Sequence, residues 1–193
     1  MKNFFIALQF LTIIPIRIKR LDDKNLSRSV IYFPLIGLFL GLLLAGINNL
    51  LTILNLSDLT VNIILIFLLI VMTGGLHLDG LADTFDGVMS GKNKDETLAI
   101  MRDPHIGVMG VLSLIIILSL KVAFLSSVSA SLKTVSLLLM GVLSRWSMVF
   151  AMSLFPYARQ DGKAKKFITG ADSKIIFPAT AIALICAITI GRL

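Results

Sequence analysis

Apolar residues run along this chain in long blocks rather than in short strands separated by turns. Five blocks, at about 30–54, 59–78, 107–128, 134–156 and 175–191, approach the roughly 20 apolar residues that carry a helix across a bilayer. The last of them is short. The pattern predicts an all-α fold, a polytopic integral membrane helical bundle of about five spans. Residues 3–16, NFFIALQFLTIIPI, form a run too short to span, with no small-residue cleavage motif and with Arg17, Lys19 and Arg20 directly after it. This is expected to be an interfacial or re-entrant helix rather than a signal peptide. Gly37, Gly41 and Ala45, four apart in the first block, make a small-residue stripe on which another helix can pack closely.

Composition agrees with the pattern. Of 193 residues 56% are hydrophobic and 15% charged, and the mean hydropathy is +0.94, which excludes a soluble single domain. One cysteine, Cys186, lies in an apolar run, so there is no intramolecular disulfide and no cysteine metal cluster. A net charge of +7 reports orientation in a membrane protein, and no nucleic acid partner is implied. Counted by successive polar segments from the N-terminus, Lys and Arg number 6, 0, 3, 1, 5 and 1. Cytoplasmic segments retain positive charge, so the N-terminus, an acidic loop at 79–106 and a basic segment at 157–174 are placed in the cytoplasm. No repeat or dividing linker is present, and residues 1–193 read as one integral membrane domain.

Six of the eleven acidic residues fall between positions 79 and 103, flanked by both histidines, His77 and His105. Asp79, Asp83 and Asp86 are spaced i, i+4, i+7, which on a helix projects three carboxylates from one face. They are either a solvated acidic face balanced by Lys92, Lys94 and Arg102, or the ligands of a hard cation such as Mg²⁺. Gly74, Gly75, Gly80 and Gly87 either break the helix or let backbone approach a bulky ligand. Asp103, just before Pro104, either caps the following helix or serves as a further carboxylate or base, with Arg102 holding phosphate. His77 and His105 are candidate phosphate or base contacts.

The string GGLHLDGLADTFDG at 74–87, followed by MRDPHIGVMG at 101–110, resembles the signature of the cobalamin synthase family, the adenosylcobinamide-GDP ribazoletransferases. The opening FFIALQFLTIIPI, YFPLIGLFLG at 32–41 and SRWSMVFAMSLFPYAR at 144–159 are similar to further parts of it, so nearly the whole chain is covered. His105 stands where arginine is common, and RQDGKAKKF at 159–167 replaces a segment richer in Pro and Gly. The family's additional C-terminal hydrophobic sequence marks this chain as either truncated or a short member.

The resemblance implies a multi-pass enzyme of the cytoplasmic (inner) membrane with its site facing the cytoplasm. Its substrates would be adenosylcobinamide-GDP and α-ribazole or its phosphate, its cofactor Mg²⁺, and its second product GMP, at the end of cobalamin biosynthesis. The residues suit that class of reaction. Attack on a pyrophosphate needs charge neutralisation and in-line positioning more than a covalent nucleophile, and no Ser/His/Asp or Cys/His set is present. On this reading Asp79, Asp83 and Asp86 hold the metal, and Asp83, Asp103 and His105 are catalytic. Gly75, His77, Gly80, Arg102, Arg145 and Arg159 bind substrate. Arg145 lies inside the fourth block, where a charge costs about 2.5–3.5 kcal/mol on insertion scales, whereas Lys121 is expected to be structural. The bilayer is the other partner, and an oligomer is neither required nor excluded. Two competing classes are a CDP-alcohol phosphotransferase, whose D-x2-D-G-x2-A-R opening is absent here, and a cation or proton transporter, whose acids would sit nearer the midplane.

Overall fold

The computed structural model describes residues 2–18, 22–158, 162, 164–168 and 173–192. Arg159 and Lys163 lie outside them. The described residues are helical and contain no strand. In chain order the helices are α1 (Lys2–Leu11), α2 (Asp23–Ser29), α3 (Phe33–Ile53), α4 (Asp58–Met72), α5 (Leu76–Val88), α6 (Lys94–Ile100), α7 (Val108–Ser127), α8 (Ala130–Leu154), α9 (Lys165–Ile168) and α10 (Ile176–Ile190). A 3₁₀ turn at Val30–Tyr32 joins α2 to α3, making one helix of 31 residues.

That long helix, α7 and α8 are long and apolar enough to cross a membrane. The second block is more complicated than a straight span. α4 stops at Met72, Gly74 and Gly75 take φ of 62° and 68°, and α5 leaves at 88° to α4. An L side chain seldom adopts that conformation, so the two glycines permit the bend. With 15 residues each, α4 and α10 rise only about 22 Å, less than the ~30 Å hydrocarbon core. The expected acidic loop at 79–106 is itself largely helical, consisting of most of α5, all of α6 and two turns.

The chain divides into two compact units. The first contains residues 1–56 and 128–193. In it α3 lies along α8, and a Cβ on Gly37 would overlap the carbonyl of Gly141, as one on Gly141 would overlap that of Gly37. Backbones can approach this closely only where side chains are missing. α10 packs on α8 through Leu138, Val142, Ala183, Cys186 and Ile190, and the Trp146 indole donates to Thr180 Oγ1 at 2.9 Å. The expected short N-terminal helix is α1, which buries Ile6, Ala7, Leu8 and Leu11. Phe10 stacks on Phe33 and meets Phe167, with ring centroids 6.0 and 4.2 Å away.

The second unit contains residues 57–127. Buried Asn62 of α4 donates to Ser126 Oγ of α7 at 3.0 Å, a polar tie between two apolar helices. α7 buries only Gly110 and Ser113 and leaves Ile115, Ile116 and Phe124 exposed, the surface expected of a helix bathed in lipid.

Candidate active site

The acidic cluster is built on α5. Its seven-residue reach from Asp79 to Asp86 is about 10 Å along the axis, so carboxylates on one face need not share a partner. Asp79 and Asp83 line an open cavity of about 230 Å³ together with Arg102, Asp103 and His105 from the turn after α6. Asp86 does not line it. Instead its Oδ2 accepts from the Gly107 amide at 2.8 Å and its Oδ1 from the Gly110 amide at 2.7 Å.

These two bonds satisfy amides at the start of α7 that have no partner within their own helix. Gly107, just before the helix, has no side chain with which to cap it, so the acceptor comes from α5. A carboxylate is favoured there by the positive end of the helix as well. A Cβ on either Gly107 or Gly110 would collide with the Asp86 carboxylate. The cap that the sequence offered to Asp103 therefore belongs to Asp86, and Asp86 is the one member of the expected metal set that faces away from the cavity. The signal for this was the glycine in the cap position, which requires an acceptor from elsewhere in the chain.

Asp103 is used within its own turn. Its Oδ1 accepts from the His105 amide at 2.9 Å and lies 2.6 Å from His105 Nδ1. The His105 amide, and next its ring, hold the Asp103 carboxyl below the usual carboxylate range. Both side chains are open to solvent. With Nδ1 turned to Asp103, Nε2 is the nitrogen left to meet a substrate.

The remaining expected residues are spread more widely. His77 is an exposed residue of the first turn of α5. Gly75 precedes that turn, and a Cβ on Gly75 or Gly80 would meet only open space. Arg145 belongs to α8 in the first unit, where it is 5% exposed. Its Nη1 donates to Ser144 Oγ at 2.8 Å, and its Nε has no hydrogen-bond partner among the described residues.

No three His, Cys, Asp or Glu among the described residues converge as a metal cage. Mg²⁺ does not require one, because it is commonly held by one or two carboxylates and completed by water and substrate phosphate. Asp79 and Asp83 have that donor chemistry, on a cavity with three carboxylates and one guanidinium.

Comparison with known proteins agrees with the motifs. The family described as Cobalamin-5-phosphate synthase matches residues 3–193. The chain belongs to this family. Among curated relatives named adenosylcobinamide-GDP ribazoletransferase, that of Geotalea daltonii is 42% identical over 90% of this chain and 70% of its own. The relative from Desulforamulus reducens is 40% identical over 81% and 63%, and that from Fusobacterium nucleatum 35% identical over 100% and 72%. The chain thus spans somewhat under two thirds to almost three quarters of these cobalamin synthase relatives. No solved structure matches it.

Proposed function

We propose that the protein is a membrane-bound phosphotransferase that joins adenosylcobinamide-GDP to α-ribazole or its 5′-phosphate and releases GMP. The observation that carries this reading is the single cavity lined by Asp79 and Asp83 from one motif and by Arg102, Asp103 and His105 from the other. The names of the family and of its relatives support the substrates.

A ribazole hydroxyl oxygen attacks the phosphorus that bears the cobinamide, and the bond from that phosphorus to the oxygen bridging to GMP breaks. The hydroxyl proton passes to His105 Nε2, while Asp103 orients the ring and stabilises the cation that forms. Arg102 draws the phosphates toward the carboxylates and offsets the charge gathering on the departing GMP. Mg²⁺, when held by Asp79 and Asp83, supplies the remaining charge neutralisation. Asp86 is a positioning residue, fixing α5 against the start of α7 so that the turn carrying Asp103 and His105 meets the first two aspartates. Gly75, His77 and Gly80, around the first turn of α5, are assigned to the substrate. The asymmetry of basic residues supports placement in the cytoplasmic membrane with this cavity on the cytoplasmic side, where a guanosine nucleotide would be available.

The test is turnover in isolated membranes supplied with adenosylcobinamide-GDP, α-ribazole phosphate and Mg²⁺. GMP release coupled to cobalamin phosphate formation is expected, and EDTA or Asp83→Asn should abolish it while leaving membrane insertion intact. Full activity of well-inserted Asp83→Asn would remove the carboxylate mechanism.

A further inference from the structure

The side of α5 turned away from its aspartates is apolar and largely uncovered. At 100° per residue Leu81, Phe85 and Val88 lie about 120–180° around the helix from Asp79, and Met89 follows at its end. Phe85, Val88 and Met89 are 41%, 60% and 56% exposed. Thr84 shares this side, but its hydroxyl donates to the Gly80 carbonyl at 2.6 Å, so the helix itself satisfies it. His77, in the first turn, is the titratable residue there, and an imidazole presents an apolar body as well as a polar tip. An apolar face of this kind on a helix of 13 residues marks contact with another phase or another molecule.

We infer that α5 lies flat in the boundary between lipid headgroups and acyl chains, its apolar side sunk into lipid and its aspartates turned to water. Three observations within the second unit carry this. α5 leaves α4 at 88°, and a helix at right angles to one that runs through a bilayer lies in the bilayer plane. α4 begins at Asp58 with Ser57 as its cap, a polar start that belongs to one headgroup region, and its 15 residues rise about 22 Å. That is several ångströms short of the ~30 Å core, so the bend falls just inside the opposite boundary. The start of α7 gives the direction of each face. The α5 backbone passes Gly110, where a Cβ would stand 3.1 Å from the Ala82 carbonyl oxygen. From there the Asp86 carboxylate reaches on to the amide of Gly107, three residues nearer the end of that spanning helix. The acidic side therefore points out of the bilayer along α7, and the opposite side points toward the middle of α7, where Ile115 and Ile116 are exposed. Held by α4 at one end and through Asp86 by α7 at the other, α5 needs no basic face to stay at the surface. Its three carboxylates oppose the alternative, a helix that continues the α4 span through hydrocarbon. The placement sets Asp79 and Asp83 at the water line whatever substrate meets them.

Single spin labels on the full chain, reconstituted in phosphatidylcholine bilayers, test the placement. In a Cys186→Ala background, Leu81→Cys, Phe85→Cys and Val88→Cys report the apolar side of α5. Ile116→Cys reports the middle of α7, and Lys92→Cys an exposed position beyond α5. Power saturation with oxygen, which concentrates in lipid, and with a water-soluble nickel chelate measures the depth of each label. Labels at 81, 85 and 88 should favour oxygen at one common depth, about 5–10 Å into the headgroup–acyl boundary and shallower than 116, while the label at 92 favours nickel. A steady change of about 10 Å from 81 to 88, the rise of seven helical residues, would mean that α5 stands along the bilayer normal and would overturn the inference. Preference for nickel at 85 and 88 equal to that at 92 would put this side in water. Exclusion of both reagents there would mean that protein covers it, and either result would overturn the inference as well. Phe85 and Val88 are exposed, so labels at these two positions should leave the thermal midpoint of the Cys186→Ala protein unchanged.

Discussion

Asp79 and Asp86 stand two turns apart on the same face of α5 and have different partners. Asp79 opens onto the cavity, whereas Asp86 is held by two amides of α7. Asp86→Ala should leave both amides without their acceptor, a loss of about 1–3 kcal/mol for buried donors. Hydrogen exchange at the first turn of α7 should quicken accordingly, and protection equal to that of the unaltered protein would contradict the cap. The Asp103–His105 pair gives a pH signature. Because His105 lowers the Asp103 carboxyl, the favourable interaction is complete above the ordinary carboxylate range and is lost as pH falls through the lowered value. His105→Ala removes the ring and keeps the amide. The Asp103 carboxyl, followed by carbon NMR, should therefore titrate at higher pH in that variant than in the unaltered protein, and an unmoved titration would contradict the pairing with the ring. The spacing of the three aspartates was legible in the sequence, and so were the two motifs that line the cavity. The diversion of Asp86 was not, because it depends on a contact between residues more than twenty positions apart.

At the scale of helices, the crossing of α3 and α8 rests on absent side chains. The stripe containing Gly37 and Gly41 could be read from its spacing, but its counterpart Gly141 is a lone glycine in an apolar block and gave no periodic signal. Gly141→Leu would place a side chain against the Gly37 backbone, and overpacking typically costs 1–3 kcal/mol, with larger values where backbone must move, so a loss of about that size or more is expected. A lower thermal midpoint and a lower yield of folded protein in membranes should follow; an unchanged midpoint would mean that the helices separate freely there. The bend between α4 and α5 was hidden for a different reason. Hydropathy continues from 59 through 78, and it registers burial in lipid but not the left-handed backbone at Gly74 and Gly75. The bend is nevertheless what begins α5 as a separate helix and ends the apolar run at its acidic face.

For the whole molecule, the long apolar blocks determine the class of fold, and the uneven distribution of lysine and arginine supports the orientation proposed for it. Division into two compact units could not be read from hydropathy, because both units are apolar and only tertiary contacts separate them. Asp79 and Asp83, without Asp86, are the carboxylates proposed to hold a divalent cation that serves phosphoryl transfer. Mn²⁺ is a paramagnetic substitute for Mg²⁺, and its binding to the purified full chain can be followed by electron paramagnetic resonance in the presence of GMP. Asp79→Asn and Asp83→Asn should each weaken binding by at least tenfold, about 1.4 kcal/mol, while folded Asp86→Asn should bind Mn²⁺ as the unaltered protein does. Loss of Mn²⁺ in folded Asp86→Asn with retention in the other two would mean that Asp86, and not Asp79 and Asp83, holds the cation.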